Sequence, residues 1–177
     1  MTDYKIVFTG SMGAGKTTAI AALSDTPPVV TDVPSTDPAG GKPMTTVGLD
    51  FGQVRLDSGE QVRLFGTPGQ ERFEFLWRIL ARKALGVVIL VDNRRPDPVA
   101  DVAAYLQVFR AELDTMACVI GVGRTETHPH PSVDDHADAL AARGLALPVL
   151  PVDVRRREDV LLLVDTLLAQ IEVQDAG

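Results

Sequence analysis

The sequence predicts a doubly wound α/β domain, a mostly parallel six-stranded sheet covered by helices, with one antiparallel strand. Three observations carry this. Short apolar, β-rich runs without polar alternation recur along the chain, as strands buried on both faces require. Segments with helical apolar spacing lie between them. At the first strand-to-helix junction stands Gly10-Ser11-Met12-Gly13-Ala14-Gly15-Lys16-Thr17.

Taken in order, Ile6-Val7-Phe8 reads as the first buried strand and 17–23 as the first helix. Residues 24–46 hold Pro27, Pro28, Pro34, Pro38, Pro43 and Gly40-Gly41, which predicts a long irregular loop, usually functional or mobile. Segments 47–56 and 61–65 flank the turn Asp57-Ser58-Gly59-Glu60, a hairpin that supplies the antiparallel strand. In the helix expected over 72–85, Phe73, Leu76, Trp77 and Leu80 share a core-facing side. Phe75 and Ile79 form a second stripe by i, i+4 spacing, a candidate partner contact together with Phe51. The strand Val87-Val88-Ile89-Leu90-Val91 precedes a helix over 99–113, and Cys118-Val119-Ile120 precedes one over 133–143. Val149-Leu150 precedes the clearest helix, 157–173, where Val160, Leu163, Val164, Leu167, Leu168 and Ile171 fall on one face.

The 177 residues predict one domain over 1–177. With 17 basic and 24 acidic residues the net charge is −7, and no basic run exceeds Arg155-Arg156-Arg157. That argues against a nucleic-acid partner. Cys118 cannot pair within the chain and reads as a small buried hydrophobe in a reducing compartment. No secretory leader, lipidation motif or membrane-length apolar stretch is seen, so the expectation is a cytoplasmic protein without a membrane anchor. His128 and His130, near His136, Asp134 and Asp135, lack metal-ligand spacing and read as a solvated loop.

The glycine-rich stretch matches G-x-x-x-x-G-K-[ST] in full. Its glycines let successive N–H groups curl around phosphate oxygens. Lys16 adds charge near the terminal phosphates, Thr17 offers a hydroxyl to Mg²⁺, and the helix N-terminus adds its dipole. The wording Met-Gly-Ala-Gly-Lys-Thr is also similar to that of small-molecule kinases of the shikimate-kinase type, so the loop alone does not choose among nucleotide enzymes.

Two further stretches narrow the choice. Thr46-Val47-Gly48-Leu49-Asp50-Phe51 resembles the first switch of Rab-like small GTPases. Gly66-Thr67-Pro68-Gly69-Gln70-Glu71-Arg72-Phe73 resembles their second switch, Asp-x-x-Gly-Gln-Glu-Arg-Phe. Over nearly its whole length the chain resembles a Ras-superfamily P-loop GTPase, with wording similar to the bacterial MglA-like and conservon-associated members.

The resemblance implies a switch that hydrolyses GTP to GDP with Mg²⁺. Lys16, Thr46 and Gln70 would be catalytic, Gln70 orienting the attacking water. Thr17 and Thr46 would ligate Mg²⁺. Met12, Gly13, Ala14, Gly15, Lys16, Thr17, Thr18 and Gly69 would hold the phosphates. It further implies protein partners at the two switch regions, 36–50 and 66–80, among them a Roadblock-domain regulator.

Three positions depart from the family pattern. Gly66 stands where the family has an aspartate that supports Mg²⁺ through water. Met12 replaces a glycine of many relatives, and its side chain would crowd an incoming arginine. The base motif Asn-Lys-x-Asp survives only as Gly123-Arg124-Thr125-Glu126. There Glu126 keeps the carboxylate that reads guanine, Arg124 can stack on the base, and Gly123 loses an anchoring amide. By position, backbone N–H groups around Asp153 and Val154 would meet the base oxygen. Two rivals stay open: a P-loop kinase of a small metabolite, and a nucleotide-holding module that does not hydrolyse. Arg55 and Arg72 are the nearby candidates for a stabilising arginine.

Overall fold

The computed structural model describes residues 3–35, 45–70 and 73–177, with side chains left aside at 30–35 and 45–47. Its strands are β1 (Asp3–Gly10), β2 (Val29–Ser35), β3 (Thr45–Arg55), β4 (Gln61–Gly66), β5 (Gly86–Asp92), β6 (Ala117–Gly123) and β7 (Val149–Pro151). Its helices are α1 (Lys16–Leu23), α2 (Glu74–Ala81), α3 (Pro98–Val108), α4 (Val133–Ala141) and α5 (Arg157–Asp175). The strands form one sheet in the order β2-β3-β4-β1-β5-β6-β7. Only β3 runs against its neighbours, pairing antiparallel with β2 and β4, while the other pairs are parallel. The doubly wound layout with one antiparallel strand is therefore present.

The sheet has seven strands rather than the expected six. The added strand, β2, comes from the stretch read as irregular. Val29, Val30, Thr31 and Val33 favour extended backbone, and at a sheet edge Pro34 need not donate to a second neighbour. Residues 36–44, the rest of that stretch, lie outside the described residues. Helix boundaries also move. The helix expected over 72–85 is Glu74–Ala81, because Lys83 takes a left-handed φ of 60° and turns the chain toward β5. The helix expected over 99–113 ends at Val108 and continues as hydrogen-bonded turns around Phe109.

Both sheet faces are covered. One carries Ile6, Phe8, Leu64, Val88 and Val119 against Ile20 of α1 and Val160, Leu163 and Leu167 of α5. The other carries Val7, Ile89 and Ile120 against Trp77 of α2, Leu106 of α3 and Leu140 of α4. Each such side chain contributes about 1.5–3 kcal/mol by leaving water. Cys118 is buried on this second face, where burial pushes its thiol up to about 12 and leaves it inert.

Alternating burial along β4 shows why a hairpin strand could be read from sequence: Val62, Leu64 and Gly66 are buried between partly exposed Gln61, Arg63 and Phe65. The parallel strands β5 and β6 instead bury nearly every residue. The result places the carboxyl ends of β1, β5 and β6 side by side, the usual ligand edge of a parallel α/β sheet.

Candidate nucleotide site

The glycine-rich loop leaves the carboxyl end of β1, at the centre of the sheet. Gly10 turns at φ 152°, and a Cβ there would sit 2.4 Å from the Leu90 carbonyl oxygen. Gly15 caps α1 in the left-handed region at φ 98°, and a Cβ there would lie 2.7 Å from Val154 Cγ2. No side chain caps α1, so its first-turn donors are left for an anion. Lys16 is buried and donates to the carbonyls of Gly10 at 2.6 Å and Ser11 at 2.9 Å. Burial lowers its ammonium to about 8, against the opposing field of Asp50. Thr17, Thr18 and Met12 are exposed on the loop, and Ala14 is buried with its N–H bonded to the Ser11 carbonyl.

The Thr17 hydroxyl donates to Asp50 Oδ2 at 2.5 Å. Thr17 and Asp50 together make an oxygen-only donor set, which suits Mg²⁺. Among the described residues no three His, Cys, Asp or Glu side chains converge. The side chain of Thr46, expected to share the metal, lies outside the described residues, and its backbone in β3 pairs with Pro34 of β2.

The segment after β4 packs against this loop. Thr67 donates its N–H to the Phe8 carbonyl at 2.9 Å, and its hydroxyl meets that of Thr9 at 2.8 Å. Trp77 of α2 donates from Nε1 to the Pro68 carbonyl at 2.7 Å, which fixes the turn. Gly69 is then so close to the loop that a Cβ would meet Met12 N at 2.7 Å. Gln70 follows at the surface, with its side chain exposed and its carbonyl accepting from Phe73 N. Of the second stripe on α2, Ile79 is 50% exposed, whereas Phe75 packs beside Leu49 and Leu76. Phe51 is part-buried, with its ring 5.1 Å from that of Phe65.

Arg55 cannot serve this site. It pairs with Gln61, which pairs with Asp3, at the opposite end of the sheet from Gly10. Arg72 lies outside the described residues.

A cleft of about 440 Å³ opens beside the loop, reaching from Ala14 to Arg124, Glu126, Asp153 and Val154. Four carboxylates line it. Asp92 is clamped by Arg94, whose hydrogen bonds hold its carboxyl below the usual range despite burial. Asp153 is clamped by the Arg155 guanidinium at 2.9 and 2.7 Å, which draws it down to about 2. Asp159 accepts from the Asp153 N–H at 2.9 Å. Glu126 is held by no hydrogen bond or ion pair among the described residues and stays exposed at the mouth.

The backbone of the 153–156 turn sorts the same way. The N–H groups of Asp153, Arg155 and Arg156 are taken by Asp159 Oδ2, Asp153 Oδ1 and the Asp153 carbonyl. Among the described residues only the Val154 N–H of this turn has no acceptor. The site residues expected at Asp153 and Val154 thus differ in kind: the Asp153 carboxylate and N–H are occupied, and Val154 is open.

Asn93 was not foreseen from the sequence. Its buried amide donates from Nδ2 to the His128 carbonyl at 2.8 Å and the Pro131 carbonyl at 2.9 Å. Its Oδ1 lies 3.1 Å from His136 Nε2, so that nitrogen carries the proton. These bonds anchor the loop bearing Arg124, whose φ is 67°, and Glu126. Burial lowers the His136 imidazole below its ordinary range, with Asp135 opposing. The unfolded chain therefore takes up this proton first as pH falls. Stability supplied here is present above about pH 6.5 and is lost below it. In thermal melts, His136→Gln is expected to lose less stability between pH 7.5 and pH 5.5 than the wild-type chain loses; equal losses would show that His136 does not contribute.

Fold, loop and cleft together define a P-loop nucleotide-binding domain. A family model described as "Conserved hypothetical ATP binding protein" matches residues 29–122, and the chain belongs to that family. It is also 32% identical over 124 residues to a Ras and EF-hand domain-containing protein of Danio rerio, covering 67% of this chain and 17% of that one. It is 24% identical to Ras-related protein Rab-26 of Mus musculus over 98% of this chain and 64% of the other. With Ras-related protein SEC4 of Saccharomyces cerevisiae the identity is 23%, over 95% and 74%. The chain thus spans less than two thirds of the length of the first two of these relatives. Among solved structures, the G domain of the T. maritima FeoB iron transporter superposes with a TM-score of 0.67 at 16% identity, covering 95% of this chain and 98% of that one. The fold is that of a G domain. No helix among the described residues is long and apolar enough to cross a membrane.

Proposed function

We propose that the chain is a guanine-nucleotide switch that hydrolyses GTP to GDP. The observation that carries this is the continuity of the phosphate loop with the cleft through Ala14, together with the two open groups at its far wall. Guanine presents a carbonyl oxygen that the Val154 N–H would donate to, and ring N–H and amine groups that the Glu126 carboxylate would accept. Adenine, which the family description favours, would turn an amine toward the same N–H, leaving two donors face to face. A metabolite kinase is less favoured, because the β3–β4 hairpin and the Gly69-Gln70 turn occupy the edge of the site.

In this reading the loop N–H groups and Lys16 hold the phosphates, and Gly69 brings its own N–H beside them. Bound Mg²⁺ would supply charge neutralisation on the phosphates. Gln70, exposed beside the loop, orients water, and Thr46 completes the closure of the first switch. Segments 36–50 and 66–80 would be ordered by the γ-phosphate and read by protein partners, a Roadblock-domain regulator among them. The setting proposed is the cytoplasm.

Lys16 provides the test. Its ammonium is desolvated and satisfied only by carbonyls, so a phosphate oxygen would hold its charge to higher pH. Lys16→Ala is expected to weaken GTP at least ~10²-fold, and GDP less, because the lysine reaches the β- and γ-phosphates. Affinity of the wild-type chain should fall as pH rises through about 8, with proton uptake visible as buffer-dependent binding enthalpy at that pH. A Lys16→Ala chain that holds GTP as tightly as the wild type would place the site elsewhere.

A further inference from the structure

We propose that Asp50 of β3 supplies the carboxylate that supports nucleotide-bound Mg²⁺, in place of an aspartate at position 66 of β4. This rests on the nucleotide-switch reading above and identifies the residue that supports the ion. Position 66 is glycine and offers no ligand, yet the loop presents Thr17 to a metal.

The register brings Asp50 to the gap. Asp50 and Gly66 lie directly opposite in the antiparallel pair, so side chains at both positions rise from the same face. A Cβ built on Gly66 would sit 3.2 Å from Asp50 Cβ and 3.5 Å from Asp50 Oδ2. The space beside position 66 therefore already belongs to the Asp50 carboxylate. That carboxylate is aimed at the metal-bearing loop, because Thr17 Oγ1 donates to it at 2.5 Å. A hydroxyl that donates its proton to Asp50 keeps its lone pairs for a cation. Asp50 forms no ion pair among the described residues, and it is close enough to Lys16 to act on its ammonium.

The test follows release of fluorescent GDP while Mg²⁺ is titrated, with Mn²⁺ electron paramagnetic resonance of the GDP complex as a direct reading of the ion. Asp50→Asn keeps the shape and can still accept from Thr17, but lacks the charge. It is expected to need ~10–100-fold more Mg²⁺ to slow release by half, the usual cost of losing a supporting carboxylate. In EDTA its release rate should equal that of the wild-type chain. The exchange Asp50→Gly with Gly66→Asp returns the carboxylate to β4 and should restore the response to within a fewfold of wild type. An Asp50→Asn chain that titrates with Mg²⁺ as the wild type does overturns the assignment. If Asp50→Asn does not fold, the exchange variant decides: a restored Mg²⁺ response supports the assignment and an absent one overturns it. A wild-type chain that binds no GDP overturns the guanine reading instead, and one that binds GDP with no response to Mg²⁺ overturns the metal site alone.

Discussion

Titrated with fluorescent GDP and ADP, the wild-type chain is expected to bind GDP at least ~10²-fold more tightly, and Glu126→Ala should remove most of that difference. The cleft contains four carboxylates, and three are already committed: Asp92 to Arg94, Asp153 to Arg155, and Asp159 to the Asp153 N–H. Of the four, Glu126 alone is committed to neither an ion pair nor a hydrogen bond among the described residues. A hydrogen bond to a charged group contributes about 1.5–3 kcal/mol, so its loss costs GDP ~10–100-fold and ADP little. Sites built to hydrogen-bond one base reject another because buried polar groups are left unpaired. Equal affinity for the two nucleotides, or tighter ADP, would overturn the guanine assignment in favour of the adenine reading.

Hydrolysis by the chain alone is expected to be slow, and a partner covering both switch regions should accelerate it by about 10³–10⁵ through a supplied arginine. Arg55 stands at the far end of β3, level with Asp3, and the eight-residue strand β1 separates that level from Gly10 by roughly 23 Å at ~3.3 Å per residue. Arg78 lies on α2 beside Glu74, an exposed i, i+4 pair. Exposed apolar side chains include Met12 on the loop, 63% exposed, and Ile79 on α2, 50% exposed. Gln70→Leu should abolish stimulated turnover while leaving GTP affinity nearly unchanged, read as phosphate release under single-turnover conditions. Rapid turnover by the isolated chain, indifferent to Gln70→Leu, would remove Gln70 from the mechanism.

Much of this arrangement was legible in the residues. The phosphate loop is local: its glycines, lysine and threonine act within eight consecutive positions, and the structure places them at a strand-to-helix junction. Parallel strands were legible because residues buried on both faces leave uninterrupted apolar runs, as in β5. β2 was obscured by Pro34 within it and by Pro27 and Pro28 before it, since nothing local says that a strand will lie at an edge where Pro34 is tolerated. Asp50 and Asn93 were missed for a different reason. Asp50 gains meaning only from cross-strand register with Gly66, and Asn93 only from a loop 35 residues later. Asp50 did carry a signal, an acidic residue in the strand next to the position that lacks one.

The strand order has a consequence for how the chain acquires its ligand. β1, which bears the phosphate loop, is flanked by β4 and β5, so its walls come from residues as far on as Asp92. The far wall of the cleft comes from the turn after β7, with Val154 packed on Gly15. A nascent chain therefore carries a complete phosphate motif long before it can hold a nucleotide. Because a ligand that binds only the finished fold stabilises it by mass action, nucleotide would act as a late clamp that joins the turn after β1 to the turn after β7, made about 140 residues later. Loss of nucleotide would then loosen the turns after β1 and β7 together.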